Sequence, residues 1–64
     1  MSYICYVYER PGDVPYMEVL AARSLDEARV KVRGLLADRP HCNTAELWDD
    51  DRLVHAYDRA ELAI

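Results

Sequence analysis

Apolar and polar residues near the N-terminus follow the pattern of two strands. Residues 3–10 are rich in aromatic and β-branched side chains and end at Pro11-Gly12-Asp13, a combination typical of a strand followed by a turn. Residues 16–22 alternate well enough to form a second strand, which begins directly after Pro15. The two segments predict a β-hairpin that turns over residues 11–15.

A helical period follows this hairpin. Ser24-Leu25-Asp26-Glu27 has the sequence of a capping box, in which Ser24 accepts from the amide of residue 27 and Glu27 accepts from the amide of residue 24. Pro40 cannot continue a helix. The pattern predicts a helix over residues 25–39. At about 100° per residue, one side of it carries the apolar side chains Leu25, Ala28, Val32, Leu35 and Leu36.

The second half of the chain predicts another hairpin. Residues 45–49 and 53–58 are short strand-like segments joined across Asp50-Asp51-Arg52, and residues 58–64 form either a final helical turn or a loose tail. The order ββαββ predicts a single α+β domain over residues 1–64. We expect one four-stranded antiparallel sheet, in the order 2-1-3-4, with a single helix packed on one face.

The period of two along each strand assigns side chains to the two faces of the sheet. Toward the helix we expect Tyr3, Cys5, Val7, Met17, Val19, Ala21, Ala45, Leu47, Val54 and Ala56. On the opposite face we expect Ile4, Tyr6, Tyr8, Tyr16, Leu20, Trp48, Leu53 and Tyr57, with Glu18, Glu46 and His55 also pointing outward. The pattern supplies no element to cover this second face.

An uncovered aromatic face predicts a binding surface, because monomers rarely expose large apolar patches and Tyr and Trp are enriched at interfaces. The predicted contact residues on this face are Tyr6, Tyr8, Trp48 and Tyr57. The favoured hypothesis is a small non-catalytic interaction module that forms a homodimer through this face or a strand edge. Val30, Gly34 and Ala37 on the outer side of the helix offer a second surface for self-association.

Charge supports an alternative hypothesis. The chain carries 12 Asp and Glu against 8 Lys and Arg, a net charge of −4. Acidic residues gather in the second hairpin and after it: Glu46, Asp49, Asp50, Asp51, Asp58 and Glu61. The chain would then be an acidic inhibitor, of a phage or antitoxin type, that uses Asp49, Asp50 and Asp51 to block a basic, nucleic-acid-binding surface of a partner. Direct binding to nucleic acid is not expected, because the strands offer few cations for phosphates.

The sequence predicts neither an enzyme nor a cofactor. Asp49-Asp50-Asp51 lacks the alternating acids and the central Gly of a calcium loop, so it indicates a turn. The possible zinc ligands Cys5, His41, Cys42 and His55 lack zinc-site spacing. His41 and Cys42 are adjacent, so their side chains diverge and cannot form a catalytic pair.

The sequence shows no membrane-spanning segment and no signal peptide, and these two features predict the cellular compartment. The longest apolar run, Val19 to Ala22, is far shorter than the roughly 20 residues of a membrane span. The N-terminus has no basic segment or cleavage site of a signal peptide. We therefore expect a cytoplasmic protein in which Cys5 and Cys42 stay free thiols. The excess of Arg over Lys suggests a bacterial or phage source.

Two predicted strands followed by Ser24-Leu25-Asp26-Glu27-Ala28 resemble the opening of HicB-type antitoxins. Those proteins begin with a partly degraded RNase H-like domain and block a small toxin. In that family a Pro-Gly segment follows the second strand, whereas Pro11-Gly12 precedes it here, and no DNA-binding segment follows. The resemblance implies only a small protein that binds another protein, and we do not assign the chain to the family.

Overall fold

The computed structural model describes residues 2–62 and has the predicted ββαββ order. Its elements are β1 (Tyr3–Tyr8), β2 (Tyr16–Leu20), α1 (Leu25–Asp38), β3 (Thr44–Asp49), β4 (Arg52–Asp58) and α2 (Arg59–Leu62). The single turn α2 begins where the Oδ1 atom of Asp58 accepts a hydrogen bond from the Ala60 amide, at 2.9 Å. Residues 63 and 64 of the predicted C-terminal segment lie outside the described residues.

The sheet has the predicted order β2-β1-β3-β4, with every neighbouring pair antiparallel. β1 and β3 are the inner strands, so both of their edges are hydrogen-bonded. β2 and β4 form the two open edges. The α+β class and the strand order are therefore confirmed.

Helix α1 packs on one side of this sheet through its apolar stripe. Ala28, Val32 and Leu36 are fully buried, while Leu25 and Leu35 are partly buried against the same core. Across from them the inner strands contribute buried side chains at Cys5, Val7, Ala45 and Leu47. The predicted helix-facing stripe and its inner-strand partners are confirmed. We call this side of the sheet the helix face.

The N-terminus of α1 is capped by Ser24. Its Oγ atom accepts a hydrogen bond from the Glu27 amide at 3.1 Å, as predicted. The reciprocal bond differs from the prediction, because the Glu27 carboxylate accepts from the amide of Arg23, at 3.2 Å, and not from that of Ser24. The carboxylate therefore anchors the chain one residue before the cap.

The C-terminus of α1 is capped by Arg59, the first residue of α2, which directly follows β4. The Arg59 guanidinium donates through Nε to the Cys42 carbonyl at 2.6 Å and through Nη2 to the Arg39 carbonyl at 2.7 Å. Nη2 also donates to the carbonyl of Leu36. These bonds satisfy carbonyls at the helix end and beyond it, and they place a positive charge at the negative end of the helix dipole.

The predicted facing of β2 is wrong. Tyr3 pairs with Leu20 and Cys5 pairs with Glu18, and directly paired residues share a sheet face. Tyr16, Glu18 and Leu20 therefore lie on the helix face, whereas Met17 and Val19 lie opposite. Leu20 is 6% exposed and Val19 is 62% exposed. Leu20 is buried beside Tyr3 on the helix face. β2 ends at Leu20, so Ala21 belongs to no strand.

The predicted facing of β4 is wrong beyond a β-bulge. Leu47 pairs with His55 while Trp48 pairs with Leu53, so Val54 is the extra residue. A bulge interrupts the strict alternation of a strand. Beyond this point His55 and Tyr57 lie on the helix face, and Ala56 lies on the opposite face. The predictions for Leu53 and Val54 hold, because Val54 packs against the core and Leu53 is 46% exposed on the other side.

We expect Leu36→Ala to lower the free energy of unfolding by about 2–5 kcal/mol, because it leaves a cavity at a fully buried position. Leu35→Ala should cost less, since Leu35 is only partly buried. Urea denaturation followed by circular dichroism measures both losses. A larger loss for Leu35→Ala would contradict the described packing of α1.

Candidate protein-binding face

The side of the sheet away from α1 carries side chains from all four strands. We call it the open face, and the strand pairing places on it Ile4, Tyr6, Tyr8, Met17, Val19, Thr44, Glu46, Trp48, Leu53, Ala56 and Asp58. α1 packs on the opposite side, and among residues 2–62 no other helix or strand crosses the open face. Its side chains are therefore available to a partner.

Three of the predicted contact residues form one arrangement around Glu46. The Trp48 indole packs edge-on against Tyr6, with ring centroids 6.4 Å apart and planes at 86°. Trp48 Nε1 donates to Glu46 Oε1 at 3.2 Å, and the Tyr8 hydroxyl donates to the same oxygen at 3.3 Å. Glu46 therefore fixes the positions of Tyr8 and Trp48.

Tyr57, the fourth predicted contact residue, does not lie on the open face. The bulge turns it to the helix face, where it is 8% exposed and packs edge-on against His55 with centroids 4.7 Å apart. Its hydroxyl is buried without a hydrogen-bond partner among the described residues. Burial raises the pKa of Tyr57, the charge of Arg29 opposes this shift, and Cys5 adds to it. Tyr57 therefore belongs to the core.

The three consecutive aspartates lie at different places around the second turn. Asp49 ends β3 on the helix face, opposite Tyr3 and Arg52. Asp50 has a left-handed backbone with φ of 54°. Its Oδ1 accepts from the Ser2 amide at 3.0 Å, and its own amide donates to the Ser2 carbonyl at 2.8 Å. The turn is thus tied to the start of β1.

Two grooves meet on the open face at Tyr8 and Glu46. The loop groove, of about 720 Å³, lies between the β1–β2 loop and α2. Its carboxylates are Asp13, Glu46, Asp58 and Glu61. The turn groove, of about 380 Å³, contains Tyr6 and Trp48 and is lined by the carboxylates of Glu46, Asp50 and Asp51. No Lys, Arg or His is among the described residues that line either groove.

The structure therefore joins two features that the sequence analysis treated separately. The aromatic residues and most of the acidic residues of the second hairpin share one face. Sequence reasoning missed the central position of Glu46 and the contribution of Asp13. The spacing of Glu46 and Trp48, two residues apart on one strand, is the signal that places them side by side.

Apolar side chains flank the aromatic residues toward the end of the open face that lies near the β3–β4 turn. We call this the turn end. Met17 is 52% exposed, Val19 is 62% exposed and Leu53 is 46% exposed. Through the strand pairing they neighbour Tyr6, Ile4 and Trp48. This end is more apolar than the loop groove.

Other candidate chemistry lies away from the open face. Cys5 and Cys42 are buried free thiols, and burial, with a smaller effect of Glu18, raises the pKa of Cys5 to about 12. The fraction of thiolate at Cys5 is therefore very small near neutral pH. Across residues 2–62, no three potential ligands are grouped so that they could hold a metal ion.

The predicted stripe of small residues on α1 points away from the sheet in part. Val30 is 68% exposed, and a Cβ atom added at Gly34 would meet nothing within 4 Å. This surface is open, and Gly34 borders a groove of about 380 Å³ that Lys31 and Asp38 also line. In the part of the chain described, neither helix has the length and apolar character needed to cross a membrane.

Glu46→Gln should lower the pKa of Tyr8 toward its ordinary value. Burial raises that pKa most, and the charge of Glu46, the hydrogen bond to it and Tyr6 raise it further. The substitution removes the charge and keeps an oxygen acceptor. An NMR titration of the Tyr8 ring resonances measures the shift. Glu18→Gln, which removes the carboxylate bonded to Tyr16 on the helix face, should leave the pKa of Tyr8 unchanged, and equal shifts in both variants would contradict the described contacts.

Comparison with known families gives a partial match. Residues 41–60 match the family model described as "Survival Motor Neuron, Gemin2-binding domain". The matched stretch contains β3, the turn and β4, including Glu46 and Trp48, and covers less than a third of the 64 residues. No curated protein and no solved structure matches the chain significantly. The second hairpin is thus similar to part of a protein-binding domain.

Proposed function

We propose that this chain is a non-catalytic interaction module that binds another protein on its open face. The observation that carries the proposal is the arrangement of Tyr6, Tyr8 and Trp48 around Glu46 on a sheet side without a covering element. Aromatic side chains held in place lose little conformational freedom on binding, which favours interface hot spots.

The charge of the open face favours a partner with a basic surface. Both grooves are lined by carboxylates, and their described linings contain no cation. Opposite charges on the partner would speed association and determine its orientation. This is the inhibitor hypothesis in modified form, in which Asp50 and Asp51 act together with the aromatic residues. A basic, nucleic-acid-binding surface of another protein is one target of this kind.

The family match supports a protein partner in general. The matched family is described by its binding to Gemin2, and the matched residues include Glu46 and Trp48 at the centre of the open face. The bacterial or phage source suggested by the Arg excess stays a prediction.

A homodimer through the open face is the second candidate. Met17, Val19 and Leu53 are all more than two-fifths exposed at the turn end, and a second copy could cover them. Two facing copies would also bring their carboxylates together, which opposes self-association at low ionic strength. For this reason we favour a different, basic protein over a second copy.

We place this interaction in the cytoplasm. Reducing conditions there would keep the buried Cys5 and Cys42 as thiols. We propose no catalytic role, because Cys5 has a raised pKa and the sequence offers no activated nucleophile or phosphate-binding loop.

Substitution of Trp48 by Ala should abolish capture of a basic partner from a lysate of the source organism. The control Val30→Ala removes an apolar side chain from the outer surface of α1 and should leave capture unchanged. Because Trp48 is partly buried, Leu53→Ala provides a second variant at an exposed position of the same face. Quantitative mass spectrometry measures retention. Equal retention by all variants that remain folded would refute the proposal.

The mass of the isolated chain separates the two candidates. If the open face binds a different protein, we expect the isolated chain to be a monomer of 7.4 kDa in light scattering at low salt and micromolar concentration. A mass near 15 kDa, about twice the 7.4 kDa of one chain, would establish the homodimer. If Val19→Asp restores the monomer and Val30→Asp does not, the dimer uses the open face.

A further inference from the structure

We propose that the loop groove binds an arginine side chain presented by a segment of the partner protein. This inference rests on the proposed function and specifies the chemistry of the partner. The guanidinium would lie over the Tyr8 ring and bind the Glu46 carboxylate, with the neighbouring carboxylates of the groove adding attraction.

The structure contains a related arrangement, an arginine over the ring of a glutamate-bonded tyrosine, on the opposite side of the sheet. On the helix face, the Tyr16 hydroxyl donates to Glu18 Oε1 at 2.8 Å, and the Arg39 guanidinium lies over the Tyr16 ring, 3.7 Å from its centroid. On the open face, the Tyr8 hydroxyl donates to Glu46 Oε1 at 3.3 Å. Within residues 2–62 no arginine lies over the Tyr8 ring. The second tyrosine–glutamate pair thus lacks the cation that the first one has.

Glu46 is held in position before any partner arrives. Tyr8 and Trp48 both donate to Oε1, and among residues 2–62 no donor binds Oε2. A carboxylate that is already oriented loses little freedom when it accepts further hydrogen bonds. Oε2 is therefore an acceptor for a donor from outside the described chain.

Among residues 2–62, the other carboxylates of the loop groove have no strong ion-pair partner. Asp13 is 3.7 Å from Arg10, but the Arg10 side chain is 80% exposed, so this pair is weak. Asp58 accepts from the neutral amide of Ala60, which does not cancel its charge. Together with Glu46 and Glu61 they create a negative potential that attracts a cation.

Arginine fits this groove better than lysine does. A guanidinium is planar, stacks on aromatic rings and can donate two parallel hydrogen bonds to a carboxylate. An ammonium group is a strongly hydrated point charge and lacks that geometry. A groove of about 720 Å³ also has room for residues that flank the arginine, since volumes of about 300–1,000 Å³ accommodate drug-sized molecules.

The same features disfavour other occupants. Nucleic-acid phosphates would be repelled by the carboxylates of both grooves. A second copy would present the same acidic surface, and the carboxylates of the two copies would repel each other. The light-scattering mass of the isolated chain tests the second copy.

The probe is the peptide acetyl-Ala-Arg-Ala-Arg-Ala-amide, titrated into the full chain. Trp48 is the single tryptophan and donates to Glu46, which lines the loop groove. Its indole N–H resonance and its fluorescence therefore report on binding at Glu46. Three peptides of the same length replace both arginines by lysine, by citrulline or by leucine. Citrulline keeps the planar shape and removes the charge.

We expect saturable binding of the arginine peptide, about threefold weaker binding of the lysine peptide and at least about tenfold weaker binding of the citrulline peptide. Glu46→Gln should weaken the arginine peptide about tenfold. Glu9→Gln is the matched control. It removes one carboxylate that lies beside His41, outside both grooves, and should change the affinity by less than about twofold.

Four results would overturn the inference. The first is equal affinity for the arginine and citrulline peptides, and the second is an equal effect of Glu46→Gln and Glu9→Gln. Preferential binding of the leucine peptide is the third, and it would leave the open face as a protein-binding surface with an apolar preference, so the proposed function would survive. If no peptide changes the Trp48 signals, the inference fails, and the capture experiment with Trp48→Ala decides the proposed function independently.

Discussion

One helix covers one face of the sheet, and this constraint determines the character of both faces. α1 buries Ala28, Val32 and Leu36 against β1 and β3, so the core formed by residues 2–62 lies between helix and sheet. The open face is in contact with water and nevertheless carries large side chains. It does so with rings that have polar atoms, and Glu46 accepts hydrogen bonds from two of them. The open face is therefore a consequence of the fold as much as a candidate site.

The sequence was sufficient for the elements and their order, and insufficient for the faces of the edge strands. The Ser24 half of the capping motif and the apolar stripe of α1 are local signals, and both were predicted correctly. The Glu27 half was wrong, because its carboxylate accepts from Arg23. The faces of β2 and β4 depend on non-local packing. Leu20 fills space beside Tyr3, and the bulge at Val54 reverses the alternation beyond it. A period-two pattern contains no information about either event.

The candidate site was predicted in pieces. Tyr6, Tyr8 and Trp48 follow from alternation along inner strands, where the pattern is reliable because both edges of each strand are paired. That the acidic residues of α2 and of the β1–β2 loop border the same face depends on where the chain turns, which alternation does not describe. Tyr57 was assigned to the wrong face for the same reason as His55. The proximity of these acidic residues, which are far apart in the sequence, becomes visible only in the folded structure.

The arginine that caps α1 has a consequence for the order in which the chain can fold during synthesis. Arg59 binds carbonyls at Leu36, Arg39 and Cys42, and β3 and β4 lie between the helix and this residue in the sequence. While the ribosome is still adding the second hairpin, α1 lacks its C-terminal cap and the inner strand β1 lacks β3. A nascent chain that ends before residue 59 therefore contains the helix sequence without the guanidinium that caps its C-terminus. Folding of this domain becomes complete only after the second hairpin has left the ribosomal tunnel.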